Sequence, residues 1–329
     1  MKNLDINFLK EGLLNSKKMV LSKAITLIES QKKEDRELAN QLINEILPFT
    51  GKSVRIGITG SPGVGKSTFI NVFCKYLLKH FSKIAILTVD PSSQLSGGSI
   101  LGDKTRMEDL VGLDTVFIRP SPAGKSLGGV ANATYESILL CEAAGYDLII
   151  IETVGVGQSE ILVSEMTDLL LYLTIAGSGD SLQGIKRGIM EMVDLVIINK
   201  IDLFDELSIS KLKEEFNNSF HFFLEKKSKI PVSILTCSST ENIGFLDIIE
   251  VLRISIRKIT ENGFLGENRK AQKVNWLKRS FEKKVLDLVY SNETINQSVL
   301  ELEKQIFENK ITPIQAADFI FDKLKKMLI

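Results

Sequence analysis

Residues 54–68, VRIGITGSPGVGKST, limit what this chain can fold into more than any other stretch. An apolar run through Val54, Ile56 and Ile58 enters Gly60-Ser61-Pro62-Gly63-Val64-Gly65-Lys66-Ser67, and Thr68-Phe69-Ile70 opens a helical pattern. G-x-x-x-x-G-K-[ST] between a strand and a helix is the signature of a phosphate-binding loop. The glycines let the backbone fold around a polyphosphate so that successive N–H groups face its oxygens, and the helix N-terminus adds partial positive charge. Lys66 is then expected to reach the β- and γ-phosphates, and the Ser67 hydroxyl to ligate Mg²⁺. Gly60, Ser61, Pro62, Gly63, Val64, Gly65, Lys66, Ser67 and Thr68 form the expected nucleotide cradle.

A second pattern names the base. Asn199-Lys200-Ile201-Asp202 directly follows the apolar run Leu195–Ile198. In N-K-x-D, Asp202 would accept hydrogen bonds from guanine N1–H and the exocyclic amine. Adenine offers neither donor there, and a site built on such bonds discriminates by roughly 10⁴–10⁵. Asn199 would contact the base or tie this loop to the phosphate loop, while the Lys200 stem covers the base face. Thr236-Cys237-Ser238-Ser239, at the end of another apolar run, offers a backbone N–H for guanine O6, placed here at Ser238.

The γ-phosphate end is written in Glu152-Thr153-Val154-Gly155-Val156-Gly157-Gln158-Ser159-Glu160, after the run Leu148–Ile151. Phosphate-loop proteins place an acidic residue near Mg²⁺ at this point, and a glycine whose N–H senses the γ-phosphate. Glu152 and Gly155 take those places. Glu152, longer than the usual Asp, is expected to act through a metal-bound water. Gln158 is the candidate for positioning the attacking water. Asp90, in VDPSS, and Asp103, in GGSILGDKTRM, complete an expected metal and switch set. A glycine-bearing loop at 177–188 follows the apolar run 168–175.

Composition removes several classes of function. Lys+Arg and Asp+Glu both total 41 in 329 residues, so no global field draws the chain to nucleic acid or an anionic membrane. Cys74, Cys141 and Cys237 lie far apart in apolar contexts, as expected for buried free thiols. His80 and His221 are the only histidines, too few for a zinc or nickel cluster. The first seventeen residues carry Asp5 and Glu11 and no signal-peptide core, the first arginine is Arg36, and the apolar run Leu169–Ala176 is too short to span a bilayer. A soluble, cytoplasmic chain with no membrane or nucleic-acid partner is the expectation.

Apolar runs at 53–59, 83–89, 114–118, 147–153, 168–175, 194–198 and 231–236 alternate with helical patterns such as 130–144 and 242–258. Several runs are continuously apolar, which predicts strands buried on both faces. The expected fold is therefore α/β: a phosphate-loop NTPase with a mainly parallel, doubly wound sheet. Residues 1–50 read as a helical arm, 51–260 as the nucleotide domain and 261–329 as a C-terminal helical arm. In that last segment Val274, Leu277, Phe281, Val285 and Leu288 form one stripe and Ile295, Val299, Leu302 and Ile306 another. Thr312-Pro313-Ile314-Gln315 reads as a capping box opening a third helix.

Together these segments resemble the MeaB/ArgK/MMAA family of GTPase chaperones associated with methylmalonyl-CoA mutase. The matching stretches are GITGSPGVGKST, VDPSS, GGSILGDKTRM, FIRPSP, LGGVA, EAAGYDLIIIETVGVGQSE, GDSLQGIKRGI and NKID, with weaker support from SKAITLIES, VNWLK and ITPIQAADFI. The resemblance implies a homodimer joined by the C-terminal arm, binding GTP/GDP and Mg²⁺. It implies hydrolysis of GTP in the service of an adenosylcobalamin-dependent acyl-CoA mutase, with cofactor loading gated and the mutase protected or reactivated. Lys66, Ser67, Asp90, Asp103 and Glu152 become the phosphate and metal set, and 177–188 a partner-responsive switch. That switch departs from the family's common Pro-Gly-Ala-Gly-Asp-Glu-Leu-Gln by lacking its proline and glutamate. Three other readings remain open at this point: a nickel-insertion GTPase, a nucleotide-dependent kinase or ATPase acting in transport, and a nucleotide-operated binding module with negligible turnover.

Overall fold

The computed structural model describes residues 5–89, 107–120, 127–153, 159–177, 187–223 and 225–328. Two compact units divide between Gln272 and Lys273. The first holds seven strands: β1 (Val54–Gly60), β2 (Ile84–Val89), β3 (Val116–Pro120), β4 (Leu148–Thr153), β5 (Leu169–Ile175), β6 (Leu195–Asn199) and β7 (Ser233–Thr236). They form one sheet in the order β3-β2-β4-β1-β5-β6-β7, parallel at every pairing. All seven lie where the apolar runs predict them, within about two residues, which is ordinary uncertainty for element ends. Ile149, Ile150, Ile151, Val196, Ile197 and Ile198 are buried, as strands covered on both faces require.

Before the sheet come α1 (Ile6–Leu14), α2 (Lys18–Glu29) and α3 (Lys33–Ile46). Between the strands lie α4 (Lys66–Leu77), α5 (Glu108–Val111), α6 (Leu127–Ala143), α7 (Ser159–Ser164), α8 (Arg187–Met192) and α9 (Glu206–Phe220). After β7 come α10 (Phe245–Glu261) and α11 (Phe264–Tyr290). Leu21, Ile25 and Ile28 of α2 and Leu42 and Ile46 of α3 are buried, and both helices pack against α6. Two arginines tie this layer down: Arg36 forks onto the Glu136 carboxylate, and Arg119, at the end of β3, pairs with Glu29 and donates to Thr26 Oγ1 at 3.1 Å. On another face α4 is held to α10 by ring stacking. Phe69 lies 4.9 Å from Phe73 and 5.3 Å from Phe245, and Tyr76 lies 5.4 Å from Phe245, between centroids. That stack fixes the helix whose first turn closes the phosphate loop.

The second unit comprises the C-terminal part of α11 with α12 (Glu293–Phe307) and α13 (Pro313–Leu328). Asn292 caps α12 through Thr294 N–H and Ile295 N–H. The expected capping box is present at α13: Gln315 N–H donates to Thr312 Oγ1 at 3.2 Å, and Thr312 N–H donates back to Gln315 Oε1 at 3.0 Å. Ile295 and Leu302 of the second stripe are buried. The first stripe differs: Val274, Leu277, Phe281, Val285 and Leu288 are all exposed.

One device recurs at the start of three strands. Asp147, Asp168 and Asp194 each stand one residue before β4, β5 and β6 in the local sequence Asp-Leu. Asp168 N–H donates to Arg55 O at 2.8 Å while its Oδ2 accepts Arg55 N–H at 2.8 Å. Asp194 makes the same two bonds with Leu170, both at 2.8 Å, and Asp147 makes them with Lys83 at 3.1 and 2.9 Å. Asp168 carries a further load, since Arg269 donates Nε to its Oδ1 at 2.9 Å and Nη2 to its Oδ2 at 2.7 Å. Asp168→Ala removes the buried carboxylate from the half-buried Arg269 guanidinium and is expected to destabilise the first unit by about 3 kcal/mol. Denaturant unfolding checks this, and an unshifted midpoint would show that the pair contributes nothing.

Candidate functional site

The phosphate loop leaves β1 between β4 and β5, where the chain's excursions to either side of the sheet begin, the usual ligand crevice of such sheets. Two glycines are demanded by geometry. Gly60 has φ 152°, and a Cβ there would lie 2.3 Å from Leu173 O of β5. Gly65, with φ 90°, forms the N-cap of α4, and a Cβ there would lie 2.9 Å from Asn199 Nδ2.

Five of the loop's carbonyls accept hydrogen bonds. Lys66 Nζ donates to Gly60 O at 2.8 Å and Ser61 O at 3.2 Å. Lys200 Nζ donates to Gly63 O at 2.8 Å, and Asn199 Nδ2 to Val64 O at 2.9 Å. Gly65 O accepts the helical bond from Phe69 N–H at 2.8 Å. With these carbonyls engaged, the loop keeps its peptide dipoles in a common sense, and the first N–H groups of α4 lack intrahelical acceptors. That is the chemistry of an anion cradle. Pro62, Gly63 and Thr68 are exposed along its rim.

Asn199 and Lys200 reach the loop because the chain turns sharply after β6. Lys200 has φ 59°, a left-handed conformation unusual for a lysine and of the kind found where side chains must be aimed. Asp202 follows on the short 3₁₀ turn Ile201–Leu203, exposed, accepting from Thr240 Oγ1 at 3.4 Å. The Ser238 hydroxyl, with smaller help from a backbone amide, Thr240 and Lys200, outweighs desolvation and holds the Asp202 carboxyl below its ordinary range. It is therefore ionised at neutral pH, as an acceptor of two base N–H groups must be.

On the γ-phosphate side, Ser67 Oγ donates to Glu152 Oε1 at 3.2 Å, and Glu152 is 2% exposed at the end of β4. A hydroxyl and a carboxylate side by side at the loop's mouth form a hard-oxygen donor set suited to Mg²⁺. Asp90, Asp103, Gly155 and Gln158 lie outside the described residues.

The structure thus brings together Gly60–Ser67, Glu152, Asn199, Lys200 and Asp202. The 236–239 stretch is refined. Ser238 N–H is committed to Ile243 O at 3.1 Å, in a bridge that also pairs Ile243 N–H with Ser238 O. Ser239 N–H is the one that turns inward, to Asn199 Oδ1 at 3.2 Å. Ser239 Oγ and Cys237 Sγ meet the same oxygen, at 2.9 and 3.4 Å. Adjacent serines look alike in sequence, and only the bridge to Ile243 tells them apart.

Comparison with known proteins identifies the family. Residues 21–294 match the family model described as methylmalonyl Co-A mutase-associated GTPase MeaB. The GTPase ArgK of Escherichia coli K12 is 40% identical over 301 residues, 92% of this chain and 91% of that protein. The mitochondrial methylmalonic aciduria type A homolog of Mus musculus is 36% identical over 330 residues, 97% of this chain and 80% of that protein. A crystal structure of LAO/AO transport system kinase superposes with a TM-score of 0.77 at 31% identity, covering 98% of this chain and all of that one. By fold, loop geometry and sequence, this chain belongs to the MeaB family of phosphate-loop GTPases.

Proposed function

We propose that this GTPase serves an adenosylcobalamin-dependent acyl-CoA mutase of the methylmalonyl-CoA type, coupling its nucleotide state to cofactor loading and to protection or reactivation of the mutase. The match of residues 21–294 to a mutase-associated family carries the partner assignment. The tie of Asn199 and Lys200 to the phosphate loop supports guanine and triphosphate being read as one ligand.

In this reading the triphosphate lies along Gly60–Ser67, with loop and α4 amides on its oxygens. Lys66 moves its ammonium from the Gly60 and Ser61 carbonyls to the β- and γ-phosphates. Water attacks the γ-phosphorus in line as the bond to the β–γ bridging oxygen breaks, giving GDP and inorganic phosphate. Charge on the departing bridge and the γ-oxygens is met by Lys66 once it has moved and by the loop amides, the latter preorganised donors of the kind that contribute most to such steps. Ser67 and Glu152 would hold Mg²⁺, and Asp90 and Asp103 are the further carboxylates proposed for it. When bound, the metal supplies charge neutralisation at the phosphates. Gln158 orients the water, and Gly155 senses the γ-phosphate. The exposed stripe Val274, Leu277, Phe281, Val285 and Leu288 supports a homodimer built on the C-terminal arm, since an apolar face of that length is a typical mark of an association surface.

The name of the solved relative keeps one competitor in view, phosphoryl transfer to a second substrate. Following label from γ-³²P-GTP separates the two. Release as inorganic phosphate supports hydrolysis, and label on a cosubstrate supports a kinase.

Lys66→Ala is expected to lower GTP turnover by roughly 10²–10³, read in a phosphate-release assay at saturating GTP. Turnover at the wild-type level would sink the assignment. Asp202→Asn is expected to weaken GTP binding roughly 10–100-fold while ATP binding stays where it was, so guanine preference narrows. Calorimetric titration with both nucleotides decides it, and an unchanged GTP/ATP ratio counts against Asp202 as base reader. Purified methylmalonyl-CoA mutase is expected to co-migrate with the protein in a nucleotide-dependent way and to alter its GTPase rate. Neither effect with any cobalamin-dependent mutase would remove the partner assignment.

A further inference from the structure

A cavity of about 640 Å³ opens away from the nucleotide site. Its lining comes from α8, from the end of α9 and from the segment 225–232 that leads into β7. α8 and that segment enter β6 and β7 from their N-terminal ends, whereas the phosphate loop and the Asn199–Asp202 turn leave the C-terminal ends of β1 and β6. In a sheet that is parallel at every pairing, those are opposite ends. The cavity and the nucleotide cradle share no residue.

The volume lies within the range of small-molecule sites, roughly 300–1,000 Å³. Its apolar lining includes Met190 of α8, Phe220, Phe222, Phe223, Ile230 and Pro231. Phe220 and Phe223 stand with centroids 6.3 Å apart and planes tilted by 52°, a favourable arrangement for aromatic rings. Phe222 is 86% exposed. A ring so far out in water contributes almost nothing to the core, and its surface is available to a ligand.

Charge decides what else the occupant carries. Lys226 Nζ donates to Met192 O at 3.1 Å, to Val193 O and to Asp194 Oδ1 at 2.7 Å, which spends its three donors. Lys229 differs. Its ammonium makes no hydrogen bond or ion pair among the described residues, and its backbone is left-handed, with φ 54°. Glycine would adopt that conformation without steric cost, and a lysine held there is the kind of local strain that gathers at ligand sites. Lys229 N–H closes the turn on Lys226 O at 2.9 Å, so the spent lysine and the free one stand on the same turn. Glu191 and Glu225 also line the cavity and disfavour an occupant with several negative charges.

We propose that this cavity is a second ligand site, taking a small molecule with a flat apolar body and a single anionic group. The phenylalanine rings cover the body, and the Lys229 ammonium pairs with the anion. Through Met190 the ligand lies against α8, the helix into which the 177–188 loop runs, without touching the nucleotide.

The test is calorimetric titration of 2-naphthoate, and of the neutral 2-naphthalenemethanol, into the full chain saturated with GDP. One-to-one binding of 2-naphthoate is expected, with a dissociation constant below about 1 mM, as ligands of that size allow. Lys229→Met is expected to weaken 2-naphthoate roughly tenfold and to leave 2-naphthalenemethanol where it was, while Lys229→Arg keeps the charge and binds as the wild type does. Phe222→Ala weakens both compounds, by roughly threefold to tenfold. Both positions are exposed, so the variants keep the fold, and GDP affinity at the wild-type level checks this. Absence of saturable 2-naphthoate binding would overturn the proposal, as would equal affinity in Lys229→Met and wild type. Displacement of 2-naphthoate by GDP would put the compound in the nucleotide site and overturn it equally.

Discussion

The Asn199 side chain is the bond on which the site's architecture depends. Its NH₂ holds the phosphate loop at Val64 O, and its oxygen is held in turn by the loop that follows β7. It is 1% exposed, so none of these bonds competes with bulk water. Three loops from three strand ends, after β1, β6 and β7, meet at one amide group. Lys200 repeats the link one residue on, at Gly63 O. The base pocket and the phosphate cradle are in consequence a single mechanical object, and a ligand that engages one part acts on the other.

Below that junction the same sheet works as a foundation. β1 is bonded on both sides, to β4 and β5, and it alone delivers the phosphate loop. Its last residue must be glycine because β5 presses against it at Leu173 O. The stacked rings of Phe69, Phe73, Tyr76 and Phe245 then fix α4 in the one orientation that points its N-terminus into the crevice. The path from apolar sequence to chemistry is short: buried strands set the crevice, a tight glycine turn opens it, and packed aromatics aim the helix dipole.

Much of this was legible in the chain. Continuous runs such as Leu148–Ile151 and Leu195–Ile198 mark buried parallel strands because no other common element needs apolar residues on both faces for so short a length. The loop Gly60–Ser67 and the Thr312–Gln315 cap are also readable, since each is a local motif whose partners lie a few residues away, and Asn199–Asp202 is readable as a four-residue pattern directly after a strand. What could not be read depends on distant partners. That Lys200 holds a phosphate-loop carbonyl, and that Ser239 rather than Ser238 faces Asn199, follow from contacts made only once the sheet has assembled. Likewise, the period of Val274, Leu277, Phe281, Val285 and Leu288 announces an apolar face but carries no word of what, if anything, covers it.

The paired aspartates at the strand starts have a consequence for folding. Strands composed almost wholly of Leu, Ile and Val are poor at telling one alignment from another, because sliding a neighbour along by two residues, or even one, buries nearly the same surface. Asp147, Asp168 and Asp194 break that degeneracy. In the native alignment each carboxylate meets a backbone N–H; shifted, it would be carried into the sheet with no donor, at the steep penalty for burying an unpaired charge. A single polar residue at the mouth of each strand thereby acts as a stop that turns a slippery apolar ribbon into one with a unique alignment. Misaligned intermediates, whose exposed edges would invite aggregation during the slow assembly of a parallel sheet, are destabilised before they can persist.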